Sequence, residues 1–388
     1  MPRSETALVE PALLTWARES AGFSLEEAAH KAGIKAERLQ AWEVGQNYPS
    51  VVQLRKLGSI YRRPIAVFYL PEAPRDFRPL RDFRQLQDRE VLGLSPALRF
   101  EIRSAHDRRE IALEVYQETE TVPVPLTATT HLTQDTESVG AKVRQLLNIS
   151  VDTQKSWKGL YGPFNGWREA LEVAGVLVFQ TSELELSEAR GFSISETPLP
   201  VIVVNRKDAP TARVFTLLHE FLHLLLRAGG LCDLSEDGNR RVDEEQIETF
   251  CNYAAGAVLV PRESLLSETV VAARVTAKVW SDDEIESLAR AYGVSREVLV
   301  RRLLILGRTT EDFYKEKRDQ YQEELKRKRR AEGFVPPHID AISVLGRPYT
   351  RLILTAFRQD RITASDVSDF LGVRLKHLGK IEALVATP

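Results

Sequence analysis

Hydrophobic positions recur at helical spacing along most of the chain, first in short bursts. Leu13, Leu14 and Trp16 follow that period between Pro11 and Glu19, predicting a first helix. Ser24 stands as an N-cap with Glu27 three residues later, a capping box, and opens a helix over Leu25–Ala32 that stops at Gly33. A third helix runs from Lys35 to about Val44, with Leu39 and Trp42 as its apolar pair, and Gly45 ends it. Pro49 and Ser50 open a fourth, with Val52, Leu54, Leu57 and Ile60 expected on its inner face. Short helices with a glycine corner between the second and third predict a helix-turn-helix.

Pro71, Pro74 and Pro79 then break the pattern, and a long helical period runs from Pro96 to Glu118. A second break, Val122–Pro125, opens the central region. There Gly175–Gln180 (GVLVFQ) and Pro200–Asn205 (PVIVVN) are short β-branched runs that suit strands. Helical periods dominate from Ala212 to Leu306. Residues 311–332 hold eight Lys/Arg and seven Asp/Glu, which predicts a solvated helix joining domains, ended by Gly333 and Pro336–Pro337. A small helical tail, about 340–384, follows. The expected organisation is a helix-turn-helix domain over 1–74, a helical connector over 75–129, a central domain over 130–308, a charged helical linker over 309–335 and a helical C-terminal region over 336–388. No internal repeat is evident.

Composition narrows the class. With 388 residues, 43% hydrophobic and 28% charged, the chain is not disordered as a whole. A net charge of -2 excludes a chain-wide basic coat, though not a local patch. Two cysteines, Cys232 and Cys251, make no disulfide framework and suggest a reducing compartment. The N-terminus lacks a signal-peptide apolar core, and no run of about 18 apolar residues exists. The expected location is the cytoplasm, with no membrane partner.

The segment that carries chemistry is RVFTLLHEFLHLLLRAGG, Arg213 to Gly230. His219 and His223 are four apart on a helix, so both imidazoles leave one face, one turn apart. That spacing lets two ring nitrogens reach one Zn²⁺ at about 2.0–2.1 Å. Glu220 lies beside them, placed to take a proton from an attacking water. The rest of the segment is apolar nearly all round, which predicts burial. Two histidines and a glutamate there are costly to desolvate without partners. A catalytic zinc needs a third protein ligand. The next helical segment, Asp243 to Pro261, offers Asp243, Glu244, Glu245 and Glu248. Glu248 borders its apolar half and is the first choice, with Glu245 second; spacing alone does not separate them. Cys251, three residues on, reads as a small buried hydrophobe rather than a ligand, and Cys232 is a weaker candidate still. The other five histidines are scattered.

ETFCNYAAGAVLVP after RVFTLLHEFLH resembles the ImmA/IrrE family of zinc metallopeptidases. Arg213, Phe215, Thr216, Leu217, His219, Glu220 and His223 match the first half of that family's pattern; Glu248, Cys251, Asn252, Ala255, Leu259 and Pro261 match the second. Ala254 departs from it, where a Phe is usual, a change of packing rather than ligation. GFSI (Gly191–Ile194) and VIVVN (Val201–Asn205) are similar to the strand pair before the zinc helix. The resemblance covers about 130–308. It implies His219, His223 and Glu248 as ligands of Zn²⁺, Glu220 as catalytic base, and a mainly α fold with a central α+β zincin-like domain. The tail Ile362–Glu382 resembles the C-terminal region of longer members. Ile285–Leu303 also looks like a helix-turn-helix, but in this family it belongs to the peptidase domain.

SLEEAAHKAGIKAERLQAWEVGQNYPS resembles the Xre/Cro helix-turn-helix domains, with Gly33, Leu39, Trp42, Glu43, Gly45 and Pro49 at that family's turn and core positions. The resemblance implies that Lys35–Val44 enters a major groove, with Lys35, Glu37, Arg38 and Gln40 as the DNA-contacting residues. Ala36, Glu37 and Ala41 are poor readers of bases. Lys35, Arg38, Arg62 and Arg63 suit phosphates. Residues 1–70 carry nine Lys/Arg against seven Asp/Glu, a net +2, mild for a DNA binder. The bland alternative is a helical interaction or dimerisation module. The run Lys326–Arg330 (KRKRR) reads as a solvated helix end.

Together these readings imply a DNA-binding transcriptional regulator fused to a zinc-dependent endopeptidase that cleaves a partner protein, expected to be a repressor. The alternative is the antitoxin of a toxin–antitoxin pair that binds a toxin and represses its own operon. The expected partners are a protein substrate (repressor or toxin), operator DNA and a second copy of the chain as a homodimer.

Overall fold

Capping chemistry sets the first helices. Ser24 Oγ accepts from the Glu27 amide at 3.1 Å while Glu27 Oε2 accepts from the Ser24 amide at 2.9 Å, closing the capping box expected there. The computed structural model describes residues 5–74, 94–228, 240–274, 279–327 and 335–386. Pro79, Gly229, Gly230, Cys232 and Gly333, and the side chains of Asp243, Glu244 and the Lys326–Arg330 run, lie outside the described residues. Two compact units divide the chain, residues 1–106 and 107–388.

The first unit holds α1 (Pro11–Ser20), α2 (Leu25–Ala32), α3 (Ala36–Glu43) and α4 (Val51–Tyr61), and the start of α5 (Pro96–Glu118). Gly33 ends α2 with φ 67°, a left-handed conformation that glycine adopts without a Cβ penalty. Leu13, Leu14, Leu39, Trp42, Leu57 and Phe68 form the core. Glu43 is held there by a two-pronged pair with Arg18, at 2.8 and 2.9 Å. Val52 corrects the expected inner face of α4: it is 71% exposed. It sits two residues, over half a turn, from Leu54, so the stripe Leu54, Leu57, Tyr61 takes the core side.

The second unit begins with α6 (Thr136–Leu146), α7 (Val151–Ser156) and α8 (Gly162–Val173), then β1 (Leu177–Thr181), β2 (Gly191–Ile194) and β3 (Val201–Asn205). The strand order is β1-β3-β2, with β1 parallel and β2 antiparallel to β3. Every residue of β1 and β3 is buried, which fits their apolar runs Leu177–Phe179 and Val201–Val204. Asn205 orders the loop before β2, its Nδ2 donating to the Leu184 and Ala189 carbonyls at 3.0 Å each. Buried Arg109 of α5 grips the turn before β3 through the Pro198 and Leu199 carbonyls.

Two long helices follow, α9 (Pro210–Ala228) and α10 (Arg240–Leu259), then α11 (Arg262–Ser267), α12 (Thr269–Ala272), α13 (Asp282–Tyr292), α14 (Arg296–Ile305) and α15 (Glu311–Arg327). α9 packs between the sheet and α10. The C-terminal end of α10 is tied down by buried donors. Arg144 Nη1 donates to the Val258 carbonyl, Gln154 Nε2 to Leu259 and Arg302 Nε to Val260. Cations there also suit the negative end of the helix dipole. The charged helix α15 is less solvated than its composition suggests: Phe313 and Tyr321 are buried in the core of this unit. Residues 313, 317 and 321 fall on one helical face, and that face meets α14.

Four helices close the chain: α16 (Pro337–Leu345), α17 (Arg347–Arg358), α18 (Ala364–Leu371) and α19 (Leu378–Ala386). α16 packs on β1. Arg168 and Gln180 both donate to the Ser343 carbonyl at 2.7 Å. Among the described residues the architecture is mainly α, with an N-terminal helix-turn-helix and one small sheet in the second unit. Among the described residues, no helix is long and apolar enough to cross a membrane.

Candidate functional site

α9 is driven inward by Val214, Leu217, Leu218, Phe221, Leu222 and Leu225, all buried. That face fixes the helix rotation, and with it the direction of His219, Glu220 and His223. His219 and His223 present their Nε2 atoms 3.0 Å apart, the rings meeting edge to face at 4.7 Å. α10 lies against α9 and brings Glu248 to them. Glu248 Oε2 is 3.3 Å from His219 Nε2, and Oε1 is 3.6 Å from His223 Nε2. All three donor atoms lie within 4.8 Å of one another.

The donor set fits a metal ion. Corners about 2.0–2.1 Å from the centre of a tetrahedron are about 3.3 Å apart, and the separations of 3.0, 3.3 and 3.6 Å bracket that edge. Two imidazoles and a carboxylate are also the mixed N/O set that zinc accepts. Glu245 is exposed and outside this cluster. Cys251 is buried with its Sγ 3.4 Å from His223 Nδ1, the ring nitrogen opposite the cluster. It therefore contacts the back of His223 instead of joining the donor set.

Glu220 faces the sheet. Ser193 on β2 donates from Oγ to Glu220 Oε2 at 2.8 Å. Gly191, two residues earlier on the same face of β2, makes that approach: a Cβ there would meet Thr216 Cγ2 at 2.6 Å and Glu220 Cγ at 3.6 Å. Sequence reasoning missed Ser193. The two-residue period of GFSI sets Gly191 and Ser193 on one face, but it does not say which side chain that face meets.

In the head, Lys35, Glu37, Arg38 and Gln40 are all exposed at and along α3, while Leu39 and Trp42 turn into the core. The Arg38 guanidinium lies over the Trp42 ring at 5.3 Å. Arg62 stacks on Phe100 at 4.6 Å and Arg63 on Trp16 at 4.4 Å. Both guanidiniums are thus engaged with rings of the first unit.

Residues 171–304 match the family described as the IrrE N-terminal-like domain, and residues 14–68 match the helix-turn-helix family. The chain thus carries a stretch similar to helix-turn-helix domains, followed by one similar to the IrrE N-terminal-like domain. A stretch of 100 residues is 31% identical to the radiation response metalloprotease IrrE of Deinococcus deserti. That stretch is 24% of this chain and spans about a third of the relative, 36% of its length. The matched domain contains β1 to β3, α9 and α10, and so all of His219, Glu220, His223, Glu248 and Ser193.

Proposed function

We propose that this chain is a zinc-dependent endopeptidase carried by a DNA-binding regulator. The observation that carries the reading is the convergence of His219, His223 and Glu248, with Glu220 held beside them by Ser193. His219, His223 and Glu248 would hold the ion. When bound, zinc supplies Lewis-acid polarisation and activation of water. Glu220 takes a proton from the attacking water and passes it to the leaving amine. The Ser193 hydroxyl keeps one Glu220 oxygen occupied, which orients the carboxylate. The buried leucines of α9, with Phe250, Ala254 and Ala255 of α10, belong to the apolar core of this unit.

The substrate class is a protein partner, read as a repressor under the control of the same regulator. Operator DNA is met by α3 through Lys35, Glu37, Arg38 and Gln40, and the complex works in the cytoplasm. The test is a pull-down with the full chain carrying Glu220→Gln. This variant keeps the donor set, so zinc content stays near one per chain, while His219→Ala loses it. A partner recovered intact with Glu220→Gln and cut by the wild type supports the reading. Loss of a general base costs about 10²–10⁴ in rate. Full biological function of Glu220→Gln at wild-type level would sink the peptidase and leave sequestration of a toxin as the working alternative.

A further inference from the structure

Three helix–glycine–helix corners in this chain share one backbone build. α2 opens at the Ser24 capping box and ends at Gly33 with φ 67° and ψ 36°. α13 opens at Ser281 and ends at Gly293 with φ 66° and ψ 30°. α18 opens at Thr363 and ends at Gly372 with φ 62° and ψ 30°. In each, helical structure resumes three residues after the glycine, at Ala36, Arg296 and Leu375. A capping box and a left-handed glycine thus set the same reversal three times, and the corner alone does not say what the second helix does.

Burial separates them. α14, after the second corner, buries Leu299, Val300, Arg302 and Leu303; it is part of the core. The segment after the third corner buries Ile381 and Val385 and leaves Arg374, Lys376 and Lys380 exposed. This is the pattern of α3, whose polar side stays in solvent. α17 packs on both α18 and α19, as α1 packs on α3.

Charge sharpens the parallel. From 35 to 43, Lys35 and Arg38 are balanced by Glu37 and Glu43. From 374 to 386 three cations face one acid, Glu382, and Arg358 holds that acid at 3.2 Å. His377 stacks on His338, with ring centroids 6.3 Å apart and 19° between planes. Burial and the neighbouring Lys376, His338, Lys380 and Arg374 hold the His377 imidazole below its ordinary value.

We propose that the C-terminal helices form a second duplex-DNA contact, in which Arg374, Lys376 and Lys380 bind backbone phosphates. An anionic membrane fits less well, because Ile381 and Val385 of α19 are spent inside the module and the exposed Leu375 and Leu384 stand nine residues apart as single side chains, not as an apolar stripe. The contact is independent of the head and of the metal cluster.

The test uses the full chain and a fluorescein-labelled 30-base-pair duplex of mixed sequence, titrated by anisotropy from 50 to 200 mM KCl. Each phosphate contact adds about 0.9 to the slope of log affinity on log salt. The triple variant R374A/K376A/K380A is expected to bind at least about tenfold more weakly at 50 mM, with a slope shallower by about 2–3. The charge-keeping R374K/K376R/K380R should retain both. Melting temperature and zinc content should stay at wild-type values, since the three side chains are exposed. Wild-type affinity and slope in the alanine variant would overturn the proposal. So would equal losses in the charge-keeping variant, or binding to vesicles with 30% phosphatidylserine that the alanine variant alone loses while its duplex binding is intact. K35A/R38A runs in parallel: loss there alone supports the head and refutes this contact, and loss in the triple variant alone does the reverse.

Discussion

Glu220 and His219 are adjacent in sequence but meet different surroundings. The His219 Nε2 atom turns to His223 and Glu248, while the Glu220 carboxylate turns to Ser193 on β2. The difference makes Ser193→Ala informative. It removes one hydrogen bond to Glu220, the proposed base, and no member of the His219, His223 and Glu248 cluster. A hydrogen bond to a charged carboxylate is worth about 1.5–3 kcal/mol, or about a tenfold to hundredfold loss in kcat at 1.4 kcal/mol per decade. Steady-state cleavage with parallel metal analysis checks it: kcat should fall with zinc content and KM unchanged. Zinc loss in Ser193→Ala would show that the serine supports the fold of the cluster and not the base. The histidine pair and Glu220 were legible in the sequence because helical period fixes which side chains share a face. Spacing alone does not separate Glu248 from Glu245; in the structure Glu248 stands with the two histidines and Glu245 is exposed. The Ser193 contact spans 27 residues between a strand and a helix, and no period links such positions.

At the scale of elements, α10 has to hold Glu248 at a fixed height against α9, and its anchoring lies at the far end. Gly140 of α6 lets the two helices touch backbone to backbone: a Cβ there would meet Ala257 carbonyl carbon and Cβ at 2.9 Å. Gly140→Ala is therefore expected to destabilise by about 1–3 kcal/mol through overpacking, although alanine is the better helix former. Denaturant unfolding measures it, and a stabilised variant would show that the helices part freely. Arg302→Met is expected to cost more, about 3–5 kcal/mol, because it strips a buried partner from Glu137 and from the Val260 carbonyl. Helix positions were readable here to within a residue or two, as at α3, expected over 35–44 and found over 36–43. Strands β1 and β3 were readable from β-branched runs. What was not readable is how elements dock: Arg144, Arg168, Gln154 and Arg302 all bind main-chain carbonyls, which carry no side-chain signature in the sequence.

At the scale of the whole molecule, two cores predict two melting events. One is built on Leu14, Leu39 and Tyr61, the other on Trp167, Phe221 and Leu299, and each unit has its own. All three candidate metal ligands lie in the second. A ligand that binds only the folded state stabilises by RT ln(1 + [L]/Kd), about 2.7 kcal/mol at a hundredfold excess over Kd. For a unit of this size that is a rise of about 5–10 °C in Tm. Calorimetry of the full chain with zinc, against the same chain in EDTA, should therefore lift one transition and leave the other in place. Leu39→Ala, at a fully buried position, assigns the fixed one: it should lower only the head's transition, by the 2–5 kcal/mol typical of such a truncation. His219→Ala should remove the response to zinc without moving the head. If zinc raised both transitions equally, or raised one still in His219→Ala, the ion would not be held by this cluster. A single transition moved by both substitutions would mean that the two units unfold as one body.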